Sequence, residues 1–293
     1  MRNEMPSFTA LTAAAARAAH LVVDDEPRIF ADTLAAPLLG DRADELIGYH
    51  RLHGTHLVLA GARAQAVCRG RYTEDHLTDA VRSGMAQYVV LGAGLDTFAY
   101  RGELARRVRV FEVDQPGTQE WKRAALASAG IAVPDSVTFV PADFARDADR
   151  LGALLHAAGL DPDAPALVSW LGVTMYLTHE AIGQVLATVG RLGAGTEIIA
   201  DYMLPAALRD SDGAAYVDLV AGTTADRGEP WLSFLAPDEL TDLARQHGVA
   251  TVRHVYQRDA VPAALWRRSD ALRPKKLAVL FHGRADSRST TAV

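Results

Sequence analysis

An apolar strand, Tyr88-Val89-Val90-Leu91, runs directly into Gly92-Ala93-Gly94, and the next apolar run, Phe111-Glu112-Val113, ends in Asp114. This pairing constrains the fold more than any other feature of the chain. Without Cβ atoms, the glycines let the backbone turn tightly at the strand end and lie close to a ligand. An acid about 20 residues beyond the first glycine is placed to reach the ribose hydroxyls of a nucleoside. Asp114 follows Gly92 by 22 residues. The third glycine of the dinucleotide fingerprint is missing, because Thr97 stands in its place. Two plainer alternatives remain open: a Gly-x-Gly also occurs in ordinary turns, and Asp114 could cap a helix ahead of Pro116.

From residue 87 onward, short apolar runs alternate with helical periodicity. Strands are predicted over 88–91, 109–113, 138–140, 166–170, 197–201, 251–256 and 276–282. Such alternation predicts an α/β fold: a Rossmann-like, seven-stranded, mostly parallel sheet, wrapped by helices and ending in an antiparallel pair. Thr178 is a helix N-cap candidate, and Pro237-Asp238-Glu239 opens a helix that Gly248 ends. Residues 1–84 read as helical. Thr9 or Thr12 caps an Ala-rich helix, a second covers 29–39 after Pro27, a third covers 44–71, and a fourth covers 74–83 before Gly84. The expected organisation is an N-terminal helical cap or lid over 1–84, a Rossmann-like domain over 85–284 and a flexible tail over 285–293. Residues 1–7 are expected to be disordered as well.

Composition removes several classes of function. The 293 residues carry 30 Lys and Arg against 36 Asp and Glu, a net charge of −6. A surface that tracks nucleic acid needs clustered positive charge, so no nucleic-acid partner is expected. The densest basic cluster, Arg267, Arg268, Arg273, Lys275 and Lys276, reads as a solvated face. The single cysteine, Cys68, excludes an internal disulfide framework and suits a reducing cytoplasm. No run approaches the roughly 20 apolar residues of a membrane span. The apolar stretch 13–23 is cut by Arg17 and His20 and lacks the clean centre of a secretory signal. Nothing in the sequence speaks to oligomeric state.

Two further strand ends carry candidate chemistry. Asp143-Phe144 follows the third strand, where a carboxylate can accept from an adenine amino group while the ring covers its face. The run Ser169-Trp170-Leu171-Gly172-Val173-Thr174-Met175-Tyr176 follows the fourth strand and lies across the carboxyl edge, where open α/β sheets bind ligands. Tyr176 either hydrogen-bonds a substrate oxygen or is a buried tyrosine tied to the backbone. Trp231 and Phe234 either line a pocket for an aromatic group or pack a helix. Among the histidines of the helical third, His20, His50, His53 and His56, the last two stand three apart. No third ligand accompanies them, so they read as surface or lid-lining groups and no metal site is expected.

Four segments together, 8–17, 91–97, 111–116 and 170–177, resemble the leucine carboxyl methyltransferase-like family of S-adenosylmethionine-dependent O-methyltransferases, over about residues 8–283. Within it the chain is most similar to the bacterial polyketide O-methyltransferase branch. The resemblance implies that Arg69 grips the methionine carboxylate, with Arg17 near the same group. It implies that Gly92 and Gly94 pass the methionine and ribose, that Asp114 holds the ribose hydroxyls with Gln115 beside it, and that Asp143 and Phe144 hold the adenine. Leu171, also a cofactor-binding position, stands where leucine carboxyl methyltransferases proper have a glutamate, which argues against a protein C-terminus as substrate. Without the resemblance, Arg69 would read as a surface partner of Glu74 or Asp75.

The cofactor expected is therefore S-adenosyl-L-methionine, and the partner a small-molecule acid or phenol. A carboxylate nucleophile is already ionised and needs no general base, whereas a phenol usually needs one. With no Asp–His or Lys–Asp dyad to supply a base, the sequence favours a small, aromatic or polyketide carboxylate, with Tyr176 positioning it. A phenol acceptor is the alternative. A non-catalytic cofactor-binding relative is a third reading, and a nicotinamide-dependent oxidoreductase is disfavoured by Thr97 at the third glycine position.

Overall fold

The computed structural model of the protein describes residues 7–285. Three helices come first: α1 (Phe8–Val23), α2 (Ala43–His53) and α3 (Leu57–Arg82). Strands and helices then alternate: β1 (Gln87–Leu91), β2 (Arg109–Asp114), α4 (Pro116–Ser128), β3 (Val137–Pro141), α5 (Leu151–Ala157), β4 (Leu167–Trp170), α6 (His179–Gly190), β5 (Glu197–Met203), α7 (Ser211–Asp226), α8 (Pro237–Gln246), β6 (Val249–Tyr256) and β7 (Ala278–Ala285). The sheet order is β3-β2-β1-β4-β5-β7-β6. Only β7 is reversed, running antiparallel to both β5 and β6.

All five residues of β1 are buried, as expected of a central parallel strand covered on both faces. Alternation sends Val89 and Leu91 to one face, where they meet Phe111, Trp170 and the apolar stripe Ile182, Val185 and Leu186 of α6. Tyr88 and Val90 face the other way, onto Ala64, Val67, Cys68 and Leu77 of α3. The helical third thus divides. Helix α3 covers the sheet as a core layer, whereas α1 and α2 join through Leu11, Ala14, Ile47 and Leu95 above the loop that follows β1.

The seven predicted strands are present, each with its ends within three residues of expectation, and the antiparallel pair lies at the predicted edge. Thr178 and Gly84 act as expected: Thr178 accepts from Ala181 N, and Gly84 adopts φ +99° after the last turn of α3. The helical third differs from the reading of its sequence. Ser7, not Thr9 or Thr12, caps α1 by accepting from Ala10 N at 3.1 Å. Ser7 is therefore structured, and Ala285 pairs with Val249 in the sheet; the rest of both expected tails, 1–6 and 286–293, lies outside the described residues. Over 29–39 only Ala35–Leu38 is helical, because the Asp32 carboxylate takes the N–H groups of Leu34 and Ala35 and folds the chain around itself. The predicted helices 44–71 and 74–83 are instead α2 and α3, divided at Gly54, and the break expected after Arg71 is continuous helix.

Candidate active site at the carboxyl edge of the sheet

One cavity of about 1320 Å³ opens along the carboxyl ends of β1, β2 and β4 and is roofed by α1. The ten residues read as cofactor- or acceptor-binding line it: Arg17, Arg69, Gly92, Gly94, Asp114, Gln115, Asp143, Phe144, Leu171 and Tyr176; of the two pocket candidates Trp231 and Phe234, Trp231 lines it and Phe234 does not. Its volume exceeds the roughly 300–1,000 Å³ of a typical small-molecule pocket, leaving room for two ligands side by side.

The sheet-edge wall is built by backbone. Gly92 and Gly94 have φ of +68° and +44°, in the left-handed region that other residues adopt at a cost. The N–H groups of Gly92 and Ala93 both donate to Val113 O, at 2.8 and 3.0 Å, which ties the loop after β1 to the end of β2. A side chain at Gly92 would overlap Val173 Cγ2. Asp114 Oδ2 accepts from Gly94 N at 2.6 Å and Oδ1 from Gln115 N at 2.7 Å. Burial pushes this carboxyl above the usual range, and those two N–H donors oppose the shift. The Thr118 hydroxyl also bonds this carboxylate, and since a carboxylate accepts about four hydrogen bonds, an acceptor site remains for a ligand hydroxyl. Asp114 is not the helix cap that its sequence also allowed; Gln115 holds that position, with no side-chain cap bond.

The residues after β3 combine both roles considered for them. Asp143 caps the short helix Phe144–Asp147, its Oδ1 accepting from Ala145 N at 3.0 Å, while also lining the cavity. Phe144 is buried against Trp170 with ring centroids 6.3 Å apart. Leu171 faces the cavity and also packs on the core beneath α3.

Buried charge builds the opposite wall. Arg69 Nη1 donates to Asp201 Oδ2 at 2.8 Å, and Asp201 Oδ1 accepts from Gly172 N at 2.5 Å. The alternative partners of Arg69 are occupied elsewhere: Asp75 pairs with Arg71 at 2.6 Å, and Glu74 with Arg101. Arg17 Nε donates to Asp32 Oδ2 at 2.8 Å and Nη2 to Leu95 O at 2.6 Å, which fastens α1 to the loop after β1. Thr97, at the third glycine position, donates its hydroxyl to Asp32 at 2.6 Å. Burial acts to raise the Asp32 carboxyl, but the Arg17 and Arg101 charges outweigh it and hold it below the ordinary range. Glu74, also in the wall, is pushed up to about 7 by burial, against the pull of Arg101.

Sequence reasoning missed Asp201, Asp32 and Glu74. Asp201 did leave a signal: like Asp114, it is an acid at the end of a predicted strand. Of the four histidines read as surface or lid-lining groups, His53 and His56 are exposed and His50 lines the cavity, and only His20 differs. His20 is fully buried, accepting from Ile29 N through Nε2 and so donating from Nδ1 to Asp24. Arg63, also fully buried, binds Asp24 through Nε and Nη2, donates to Gly54 O and meets His50 Nδ1 at 3.2 Å. Burial and the Arg63 charge push the buried His50 down to about 4. His56 caps α3, and among the described residues no group of three metal-ligating side chains forms around it or elsewhere. Within the expected solvated basic face, Arg268 is instead enclosed, bound to Asp270 at 2.6 Å and to the carbonyl of Pro27. No helix among the described residues is long and apolar enough to cross a membrane.

A Gly-turned β1, an acid closing β2 and a reversed β7 beside β5 define a Rossmann-like sheet with its cleft at the carboxyl edge. A crystal structure of a candidate methyltransferase from Thermobifida fusca shares this fold, with a TM-score of 0.59, 18% identity, and coverage of 92% of this chain and 98% of that one. The sequence profile of the leucine carboxyl methyltransferase family matches residues 10–190, and the chain belongs to that family. Its relatives include Bacillus subtilis YktD, a candidate S-adenosyl-L-methionine-dependent methyltransferase, 29% identical over 297 residues that cover 93% of this chain and 95% of YktD. A Mycobacterium ulcerans protein of the same description is 33% identical over 205 residues, covering 67% of this chain and 66% of the relative.

Proposed function

We propose that this S-adenosylmethionine-dependent methyltransferase is an O-methyltransferase that forms methyl esters on a small aromatic or polyketide carboxylic acid. The observation that carries the reading is that one cavity is lined by the ends of β1, β2 and β4 together with Arg69. When bound, S-adenosylmethionine supplies a methyl group already activated on a sulfonium. The residues present fit it. Asp114 would accept from a ribose hydroxyl, Gln115 stands beside it, and Asp143 and Phe144 would flank the adenine. Arg69, 16% exposed and oriented by Asp201, would hold the methionine carboxylate, with Arg17 nearby. Thr97 supports this reading over a dinucleotide one, because its hydroxyl is spent on Asp32 where a fingerprint would bring a pyrophosphate against glycine.

For the acceptor, the protein mainly supplies position and dryness, which can account for roughly 7–11 kcal/mol of barrier lowering. Helices α1 and α2 serve as the lid, with Tyr176 orienting the acceptor oxygen. Its phenol is pushed up by burial and stays a hydrogen-bond donor at neutral pH. The one histidine among the cavity-lining residues, His50, has Arg63 against Nδ1, so no histidine base is poised there. That favours an acceptor already ionised. One observation favours the phenol alternative: Glu74, held near 7 in the cavity wall, is tuned as a general base would be.

The test is methyl transfer from S-adenosylmethionine to a panel of aromatic acids and phenols, scored by whether mild alkali releases the methyl. A carboxylate acceptor keeps its rate nearly flat from about pH 6 to 8, since its pKa lies near 4. An alkali-stable product, with a rate that falls below pH 7 and loses that fall in Glu74→Gln, would establish the phenol reading instead.

A further inference from the structure

Buried polar groups in the helical wall form one continuous chain, and that chain ends at the cavity. Ile29 N donates to His20 Nε2 at 3.0 Å, and His20 Nδ1 donates to Asp24 Oδ2 at 2.9 Å. Asp24 accepts from Arg63 Nε and Nη2, both at 2.9 Å, and Arg63 Nη1 meets His50 Nδ1 at 3.2 Å. His20, Asp24, Arg63 and His50 are all buried. Burying polar and charged groups costs free energy unless partners compensate them. The first three have partners on both sides, whereas His50 is bonded on one side of its ring alone.

The tautomer of His50 follows from its neighbour. A guanidinium can only donate, so Nδ1 accepts and the ring proton sits on Nε2. Burial and the Arg63 charge hold the ring near 4, so it stays neutral and keeps that single proton at neutral pH. Nε2 has no hydrogen-bond partner among the described residues, yet it is not one of the enclosed side-chain atoms left without a partner. It is therefore accessible, and the space that this buried ring borders is the cavity. Leu46, one turn earlier on α2, and Leu59 and Ala62 on α3 line the same cavity, so the donor has apolar company. Arg63, which holds His50, leaves α3 about 9 Å along the axis before Arg69. On the reading of the cleft given above, the donor thus addresses the acceptor rather than the cofactor.

We propose that His50 is a specificity-determining residue whose Nε2–H selects acids carrying a second, uncharged oxygen, such as a ketone, remote from the carboxyl group that is methylated. Arg63 pins the ring, so the donor is in place before the ligand arrives and little side-chain freedom is lost on binding. An acid with only hydrocarbon at that position takes water from the N–H and offers nothing in return. A ketone replaces the lost hydrogen bond, and that contrast produces the selectivity. The inference rests on the cleft binding S-adenosylmethionine with a small acid beside it.

Calorimetry on the full chain, saturated with S-adenosylhomocysteine, tests it with two matched pairs of probes. These are anthracene-2-carboxylate with anthraquinone-2-carboxylate, and biphenyl-4-carboxylate with 4′-acetylbiphenyl-4-carboxylate. In at least one pair the ketone should bind about three- to tenfold more tightly, the worth of a neutral hydrogen bond. His50→Phe keeps a ring and removes the donor, so the preference should fall below about twofold while S-adenosylhomocysteine binding changes by less than about twofold. Because this variant also leaves Arg63 short of an acceptor, the parent supplies a second measurement. With nitrogen-15-labelled histidine, His50 should carry its proton on Nε2, and that proton should move downfield with the preferred ketone and not with its hydrocarbon partner. If the parent binds both members of each pair equally, if the ring proton lies on Nδ1, or if a folded His50→Phe keeps the preference, the role of His50 is refuted while the cofactor reading stands. A parent that binds S-adenosylhomocysteine but none of the four acids overturns the acceptor class and this role with it. Failure to bind S-adenosylhomocysteine would instead overturn the reading of the cleft itself.

Discussion

Along the sheet edge, the cavity is shaped by backbone turns: glycines at positive φ, N–H groups on Val113 O, and an Asp114 carboxylate fed by Gly94 and Gln115. Across the cleft, the helical wall is shaped by charges joined over long sequence distances, Arg69 to Asp201, Arg17 to Asp32 and Arg63 to Asp24. The two walls fail differently. A backbone wall tolerates most side-chain changes but not a Cβ at its turns. A charge wall tolerates small shifts of shape, but losing one partner strands the other in a medium that solvates it poorly.

The largest effect is therefore expected in the helical wall, away from any ligand. Arg63→Met leaves Asp24 with its main cation gone, and breaking a buried pair in this way costs about 3–5 kcal/mol. Urea unfolding measures it, and a loss below about 1 kcal/mol would remove the distinction between the walls. On the sheet edge, Gly92→Ala meets both an unfavourable φ and Val173, for a cost of about 1–3 kcal/mol. Gly94→Ala should cost less than Gly92→Ala, because its new methyl only approaches Ala10 Cβ, at 3.3 Å.

Arg69→Lys sharpens the comparison at the ligand. A point charge cannot reproduce two parallel bonds, so S-adenosylhomocysteine binding should weaken about tenfold, close to one charge-assisted hydrogen bond. Adenosine, which has no carboxylate, should bind parent and variant alike; an equal loss for adenosine would mean that Arg69 acts through Asp201 on the fold alone.

A further effect is one of pH. His50 is depressed to about 4 in the folded protein from an ordinary 6.5, so the unfolded chain binds more protons between those values. Its contribution to stability is complete above about pH 6.5 and is lost as pH falls through about 4. His50→Gln, which retains an acceptor for Arg63, should flatten that part of the stability profile. An unchanged slope would assign it to carboxylates instead.

The contrast also explains what the sequence could reveal. Most of the strands are legible because they are short apolar runs, several of them ended by glycine, proline or an acid, and the parallel order follows from helices between them. Gly92, Gly94 and Asp114 are legible because their geometry is local, within one β-α-β unit. Asp201 could not be matched to Arg69 because the two meet only after β5 is laid beside β4, 132 residues further along the chain. Asp32 was hidden for the same reason. Its apolar neighbours suggested a helix, and only the tertiary demand of Arg17, Thr97 and Arg101 turns it into a hub that stops one. The merging of two predicted helices into α3 has a similar cause, since burial against β1 outweighs weak local punctuation near Arg71.

On this reading the backbone wall holds the nucleoside of S-adenosylmethionine through Asp114. Calorimetry of S-adenosylhomocysteine and NAD, run in parallel on the parent protein and on Asp114→Ala, tests it most directly. The parent should bind S-adenosylhomocysteine and not NAD. The variant, with its thermal unfolding unchanged, should lose about 1–3 kcal/mol of that binding, as for a charged hydrogen bond removed. An Asp114→Ala protein that folds and binds S-adenosylhomocysteine as tightly as the parent, or a parent that prefers NAD, would contradict the account.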